Sequence, residues 1–183
     1  AGDVPWEDFE DYEKERGRLR EERRLLRILQ QQAEETLANE LTQALQFASN
    51  GALVSLKSAQ LRGRVTPAVI VEKVNGPGQF PRLLCLTDDN VWILLPCQGV
   101  VSLHAELSCL QVDGVVPPML QRSGEIRHGD QASGQLALAV AHMARRHDMT
   151  TPQYDLAGEV LTQARLVQQL ELELEQHPAH RWG

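Results

Sequence analysis

The chain has 183 residues, a formal net charge of −7 at neutral pH, 42% hydrophobic residues and only 4% aromatic residues. This length favours one domain, or one domain with a smaller module, and the acidic balance argues against a uniformly basic nucleic-acid binder. No apolar run reaches the roughly 18 residues that a membrane helix needs, and no signal peptide is visible, so a membrane partner is not expected. Because the chain begins at Ala1 rather than at Met, we expect an excised or processed piece.

The segment from Trp6 to Asn50 is predicted to form one long helix. It contains no Pro and is rich in Leu, Glu, Arg, Gln and Ala, which favour helix formation. From Leu26 to Ala48, apolar residues recur at steps of three or four, the spacing of one helix face. A continuous helix of this size would be roughly 60 Å long. Its apolar stripe requires a partner helix, and Ser49-Asn50-Gly51 supplies a C-terminal stop.

A group of arginines lies on the first half of this helix. Its members are Arg16, Arg18, Arg20, Arg23, Arg24 and Arg27. They are consistent first with a solvated helix face and also with a basic edge that contacts phosphate. Both interpretations stay open.

The region from Gly51 to Gly129 is predicted to consist of short strands. They are expected at Leu53–Leu56, Gly63–Val74, Leu83–Leu86, Val91–Leu95, Val100–Leu103 and Leu107–Val112. Turn residues separate them at Asn75–Gly78 and Asp88–Asn90. Met119–Gly129 is expected to be irregular, with a short strand near Ile126. Several short strands at close spacing favour a small barrel.

Helical spacing returns at Gln131 and continues to Arg146. A further helix is predicted after Thr151-Pro152, which suits a helix N-terminus, and its apolar stripe runs from Leu156 to Leu174 before Pro178. The stripes Leu26–Leu45 and Val160–Leu174 are predicted to pack antiparallel. The predicted fold is therefore α+β, a long antiparallel helical stalk carrying a small β-barrel. Residues 1–50 would be the outgoing stalk helix, 51–129 the barrel and 130–183 the returning helices of the stalk.

The chain lacks the sequence motifs of common active sites. There is no Walker-type phosphate loop, no GxSxG and no HExxH, so we expect no enzyme activity, no catalytic residue and no cofactor-binding residue. Cys85, Cys97 and Cys109 are predicted to be reduced, buried thiols without a metal or catalytic role. His177-Pro178-Ala179-His180 could be viewed as a metal clip, but Pro178 breaks the helical geometry, and no metal site is expected.

Two stretches resemble a known family. Gly51-Ala52-Leu53-Val54-Ser55-Leu56-Lys57 followed by Ala68-Val69-Ile70-Val71-Glu72-Lys73-Val74 is similar to the strand pair that opens the KOW, or fist, barrel of Ski2-like DExH-box RNA helicases. The last helix, with Leu170 and Leu174 before His177–His180, resembles the helix that returns to the helicase body. The resemblance covers most of the chain by layout, but only about thirty residues by motif. It identifies the chain as the arch of such a helicase, and the fold as a stalk with a KOW/SH3-like barrel.

The resemblance implies an accessory role above a helicase core. In the family the arch is inserted in the winged-helix region, and its fist binds structured RNA or docks short peptide motifs of adaptor proteins. ATP and Mg would be cofactors of the parent helicase and not of this chain. A composition rich in Arg and Gln and poor in Lys favours a bacterial lineage, within the cyanobacterial and chloroplast branch. The location would be the bacterial cytoplasm or the chloroplast stroma.

A local excess of positive charge predicts where RNA binds. Between Lys57 and Arg82 there are five basic residues, Lys57, Arg62, Arg64, Lys73 and Arg82, and one acid, Glu72. Such side chains contact phosphates without reading bases. We predict weak, sequence-nonspecific RNA binding by an arch that guides RNA or partners to the helicase core during RNA processing or decay.

Two other functions are compatible with the sequence. One is a protein-docking module whose barrel receives a peptide from an adaptor, a nuclease or a ribosome-associated partner, in an apolar groove beside Phe80, Leu83 and Val101. The other is a structural coiled-coil spacer, which could be dimeric. Phe80 and Trp92 could stack on bases, although Trp92 lies within an apolar run and is expected to be core.

Overall fold

The computed structural model describes residues 5–151 and 158–180 of the chain. They divide between two compact units, residues 5–37 with 158–180 and residues 38–151. The helices are α1 (Trp6–Phe47), α2 (Gln131–Arg146) and α3 (Gly158–Glu175). The strands are β1 (Leu53–Leu56), β2 (Thr66–Val74), β3 (Arg82–Thr87), β4 (Val91–Leu95), β5 (Val100–Leu103) and β6 (Ile126–His128). The class is therefore α+β, as the sequence predicts.

The first unit pairs the N-terminal part of α1 with α3. Leu19, Val167 and Leu170 form a small buried cluster, against which Leu26, Leu166 and Leu174 pack. The amide of Gln163 donates to the carbonyl of Glu22 at 2.9 Å, and the Tyr12 hydroxyl lies 3.3 Å from Nδ1 of His180. The earlier residue of α1, Tyr12, contacts the later partner, whereas Glu22 contacts the earlier partner. The two helices therefore run antiparallel within this unit. Residues 152–157, which include Pro152 of the predicted helix start and Leu156 of the predicted stripe, lie outside the described residues.

The second unit is built on one antiparallel sheet with the strand order β5-β1-β2-β3-β4-β6. Among the described strands, β5 and β6 are the two ends of the order and do not pair with each other. The predicted barrel closure is therefore wrong for this part of the chain. Local strand patterns do not determine closure, because closure depends on whether the first and last strands of the sheet meet.

Both faces of this sheet are covered, which explains why its strands read as nearly continuous apolar runs. On one face, Leu136, Ala137 and Val140 of α2 pack on a cluster that includes Leu53 and Trp92. On the other face, Leu45 of α1 is fully buried among Val54, Ile70 and Ile93, with Leu41 and Ala48 packed beside it.

The helices that cover the two faces of the sheet have different packing partners from the ones predicted. Leu26 packs with α3 in the first unit, whereas Leu41 and Leu45 at the end of the α1 stripe pack on the sheet of the second unit. The predicted pairing of the whole Leu26–Leu45 stripe with α3 is therefore wrong. Helix α2 also lies on the sheet. Trp92 is core, 3% exposed, as predicted.

Two further predictions are corrected. The sixth strand does not form over Leu107–Val112. Val112 is buried but takes no part in strand pairing, and Leu110 makes one main-chain hydrogen bond, from its N–H to the Gly51 carbonyl at 2.9 Å. The sixth strand is β6, where a short strand was expected near Ile126. Cys85 and Cys97 are buried, but Cys109 is exposed, because it lies in that irregular segment. No helix among the described residues is long and apolar enough to cross a membrane.

Candidate nucleic-acid interface

The loop before β2 presents two of the predicted RNA-binding arginines. Ser58 precedes a single 3-10 turn, Ala59–Leu61, and its hydroxyl accepts the N–H of Gln60. Arg62 then adopts a left-handed backbone (φ 61°), and its N–H donates to the carbonyl of Ala59 at 3.1 Å. Few residues other than glycine take this conformation. The resulting tight reversal leaves the side chains of both Arg62 and Arg64 exposed.

A groove of about 700 Å³ runs beside this loop within the second unit. Its walls come from the loop, the start of β2, the β3–β4 turn, β6 and the end of α2. The lining residues are Gln60, Leu61, Arg62, Arg64, Val65, Thr66, Pro67, Thr87, Asp88, Asp89, Val91, Ile126, His128, Ala141, Ala144, Arg145 and Thr150. The lining combines apolar and small side chains with charged ones, so the groove offers both a surface for packing and charges that can bind a ligand.

Helix α2 brings a third arginine, Arg145, to the groove. Asp130 caps this helix, since its carboxylate accepts the N–H of Ser133 at 3.0 Å, and this bond lowers the pKa of Asp130. The hydroxyl of Ser133 donates to the side-chain oxygen of Asn90 at 2.7 Å, which ties the helix to the β3–β4 turn. The helix start is thereby fixed to one wall of the groove, and its last turn carries Arg145 into the lining.

The charges of the groove are unbalanced towards positive. Within the described residues, no acidic side chain lies at ion-pair distance from Arg62, Arg64 or Arg145. The two acids of the lining are Asp88 and Asp89 in the β3–β4 turn. Burial raises the pKa of Asp88, and the neighbouring charge of Asp89 raises it further. Three unpaired guanidinium groups beside two carboxylates make an anion the suitable ligand.

The structure does not bring the five predicted RNA-binding residues together. Arg62 and Arg64 share the groove, whereas Lys57 is exposed outside its lining. Lys73 donates from Nζ to the carbonyl of Gln46 at 2.8 Å, near the end of α1. Arg82 donates from Nη1 to the carbonyl of Gln121 at 2.6 Å. The charges of Lys73 and Arg82 thus already stabilise main-chain carbonyls, and RNA contact by all five residues stays a prediction.

Arg145 and His128 are groove residues that the sequence prediction missed. Arg145 is 81 positions after Arg64, and its charge had a simpler local explanation, since basic residues suit the C-terminus of a helix. His128 belongs to a strand of three exposed residues without an apolar pattern. No local signal in the sequence connects either residue with the loop before β2.

A second, smaller pocket of about 300 Å³ lies where the peptide-docking groove was predicted. Phe80 lines it together with Pro77, Pro81 and Pro96. Leu83 is fully buried in the core, and neither Leu83 nor Val101 is part of the lining. The predicted groove therefore keeps Phe80 and loses its other two members, because strand β3 turns Leu83 inward.

Ser55, His104 and Glu106 have the residue types of a catalytic triad but not its hydrogen bonding. Ser55 Oγ lies 2.7 Å from Nε2 of His104, and Nδ1 of His104 is 3.8 Å from the Glu106 carboxylate. The Ser55 hydroxyl donates to the carbonyl of Met149, so it must accept from Nε2–H and cannot transfer its proton to His104. Ser55 is also 1% exposed. The group is a buried polar junction between β1 and the segments that follow β5 and α2.

Asp11, Glu15 and His177 place three potential metal-ligand atoms within 4.8 Å of one another in the first unit. Nδ1 of His177 accepts the N–H of Ala179 at 3.1 Å, so the neutral ring carries its proton on Nε2, which faces Asp11 at 3.2 Å. A histidine that binds a metal through Nε2 normally donates a proton from Nδ1, and here a donor occupies that position. The geometry therefore fits a hydrogen bond between α1 and the end of the chain better than a metal site.

A comparison with protein-family models gives one match. The model described as "Cyanobacterial Ski2-like RNA helicase, middle domain" matches residues 43–147, which is more than half of the chain. The matched region contains every residue of the arginine-lined groove except Thr150. No curated protein and no solved structure matched the chain.

Proposed function

Because the chain belongs to the middle-domain family of cyanobacterial Ski2-like RNA helicases, we propose that it is a non-catalytic arch of an ATP-dependent helicase, which binds RNA and guides it to the helicase core. The parent helicase would use ATP and Mg, and this chain would bind neither of them. The proposal places the arch above that core, with the sheet of the second unit as a KOW-like fist.

The observation that carries the proposal is the groove of the second unit. Arg62, Arg64 and Arg145 line it, and none of them pairs with an acidic side chain among residues 5–151 and 158–180. Guanidinium groups match phosphate geometry with two parallel hydrogen bonds. RNA phosphates would bind these three residues, which gives affinity without sequence preference.

Nonspecific phosphate binding predicts a particular salt dependence. Each contact to a single strand adds about 0.7 to the slope of log affinity against log salt. Three contacts therefore give a slope of about −2. Going from 1 M to 50 mM salt, one contact strengthens binding by about eightfold, since 20 raised to the power 0.7 is about 8.

The matched variants Arg145→Glu and Arg146→Glu test the proposal. Both change the same charge at the end of α2, but only Arg145 lines the groove. Fluorescence anisotropy with a labelled oligouridine at 50 mM and 200 mM salt should give a micromolar Kd for the unmodified chain. Arg145→Glu should weaken binding by about eightfold at low salt and reduce the slope by about 0.7, with less than about twofold for Arg146→Glu.

The double variant Arg62→Glu with Arg64→Glu extends the test to the loop. It should weaken binding by more than tenfold, with an unchanged circular dichroism spectrum because both side chains are exposed. If the unmodified chain, Arg145→Glu and this folded double variant all bind RNA with equal affinity, the groove is excluded as the RNA site.

A protein-docking function is the second candidate, and the pocket lined by Phe80 and three prolines favours it. Such a pocket suits an extended peptide, since apolar side chains can insert between the rings. If the unmodified chain binds no RNA even at 50 mM salt, peptide docking in this pocket becomes the favoured function.

A further inference from the structure

Helix α1 carries a row of arginines that the proposed groove does not use. Arg16, Arg20, Arg23 and Arg27 are spaced by four, three and four residues. At 3.6 residues per turn, these steps place all four within an arc of about 60°. They line one groove of about 260 Å³ in the first unit, together with Leu19 and Leu174. We call these four residues the arginine row.

Only half of the positive charge of this row is neutralised within the described part of the chain. Arg16 pairs with Glu13 at 3.2 Å, and Arg23 pairs with Glu171 at 3.0 Å. No described acidic side chain lies at ion-pair distance from Arg20 or Arg27. Both observed pairs are exposed, and exposed pairs are weak, so an incoming phosphate can replace the carboxylates at little cost.

The spacing of the row suits a polymer of regularly spaced charges. Steps of three and four residues advance by about 4.5 Å and 6 Å along the helix, and the whole row extends over about 16 Å. Every member is an arginine, and its planar fork binds phosphate oxygens in pairs. Of the lining residues only Leu19 and Leu174 are apolar, and Leu19 is 4% exposed. An acidic amphipathic peptide would therefore find little apolar surface to anchor it.

We infer that the arginine row is a second site for the phosphodiester backbone of single-stranded RNA, located on the first unit. The inference extends the proposed RNA binding of the chain but is independent of Arg62, Arg64 and Arg145. Arg20 and Arg27 would make the contacts that no internal carboxylate competes for. Arg16 and Arg23 would exchange their carboxylate partners for phosphate.

The test compares two double variants of the full chain with equal charge change. Arg20→Glu with Arg27→Glu reverses the two unpaired members of the row. Lys14→Glu with Arg18→Glu is the matched control, because both residues are exposed on roughly the opposite side of the same helix. Neither pair disturbs the ion pairs of Arg16 and Arg23, and circular dichroism checks the helix content.

The row variant should weaken binding of oligouridine by more than tenfold at 50 mM salt and reduce the salt slope by about 1.4, with less than about threefold for the control. Equal effects of the two double variants would overturn the inference, because they would reflect net charge alone. Polyglutamate that displaces RNA at equal charge concentration would also overturn it, since the row would then bind any polyanion.

The same measurement separates this site from the groove. If Arg62→Glu with Arg64→Glu leaves affinity unchanged while the row variant loses it, the groove proposal fails and the arginine row stands. If only the groove variants lose affinity, the inference fails and the proposed function stands. An unmodified chain that binds no RNA at 50 mM salt contradicts both.

Discussion

Replacing Gly51 by alanine should strongly destabilise the second unit. Gly51 has a φ of +99° and joins the end of α1 to β1. An L-residue in the left-handed region costs about 1–2 kcal/mol. A Cβ at this position would also lie 2.2 Å from the carbonyl oxygen of Leu110, a main-chain atom that cannot rotate away.

Relief of this contact requires the two main chains to separate. The bond from the N–H of Leu110 to the Gly51 carbonyl, 2.9 Å long, would then lengthen or break, which costs about 1 kcal/mol more. Gly51→Ala should therefore lower the free energy of unfolding by about 2–3 kcal/mol. Gly114→Ala is the matched control, because its Cβ would meet no atom within 4 Å. That change should be neutral or stabilising by up to about 1 kcal/mol.

Urea denaturation followed by tryptophan fluorescence measures this difference. Trp92 is 3% exposed and lies in the core of the second unit. The other two tryptophans of the chain are Trp6 and Trp182, so in a chain that also carries Trp6→Phe and Trp182→Phe the emission change on unfolding reports the second unit. Gly51→Ala should reduce the urea midpoint without changing the slope of the transition. A loss below about 1 kcal/mol would refute the argument, because the strained turn would then tolerate a side chain.

Burial lowers the pKa of His104, although the negative charges of Glu106 and Asp148 act to raise it. As the pH decreases, this histidine is therefore protonated in the unfolded chain before it is protonated in the folded chain. The free energy of unfolding should consequently fall as the pH decreases below about 6.5. His104→Gln, measured by urea denaturation at several pH values, should remove much of this dependence, and an unchanged pH profile would contradict the assignment. Asp89→Asn removes a negative charge from the groove and should strengthen RNA binding in the anisotropy assay by up to about fivefold; weaker binding would argue against phosphate there. Burial raises the pKa of Cys85 to about 12, so iodoacetamide at pH 8 should modify exposed Cys109 quickly and Cys85 only on unfolding. Mass spectrometry of the peptides measures the order of modification, and earlier modification of Cys85 would contradict the prediction.

Much of the secondary structure could be predicted because each element carries its own pattern. The end of α1 near Gly51, the strand pair β3–β4 with its turn, and helix α2 all lie where periodicity and turn residues place them. The family resemblance that rested on Gly51–Lys57 and Ala68–Val74 is confirmed by the match over residues 43–147. Local pattern was sufficient for these features, since no distant residue decides them.

The features that sequence did not predict depend on distant contacts. Leu107–Val112 has the apolar spacing of a strand, but its Val112 is buried against the core without strand pairing. The prediction of barrel closure is wrong because the number and spacing of strands do not specify whether the two edge strands meet. The groove was missed as a unit because Arg145 comes from a helix packed on the sheet, far along the chain from Arg62 and Arg64.

Hydrogen–deuterium exchange of the full chain with and without oligouridine tests the central claim most directly, because it locates the bound RNA without any substitution. The proposed function predicts slower amide exchange at Ser58–Thr66, in the β3–β4 turn and in the last turn of α2, where the groove residues lie. Slower exchange confined to Gly76–Arg82, or no change at RNA concentrations well above the measured Kd, would contradict RNA binding in the groove.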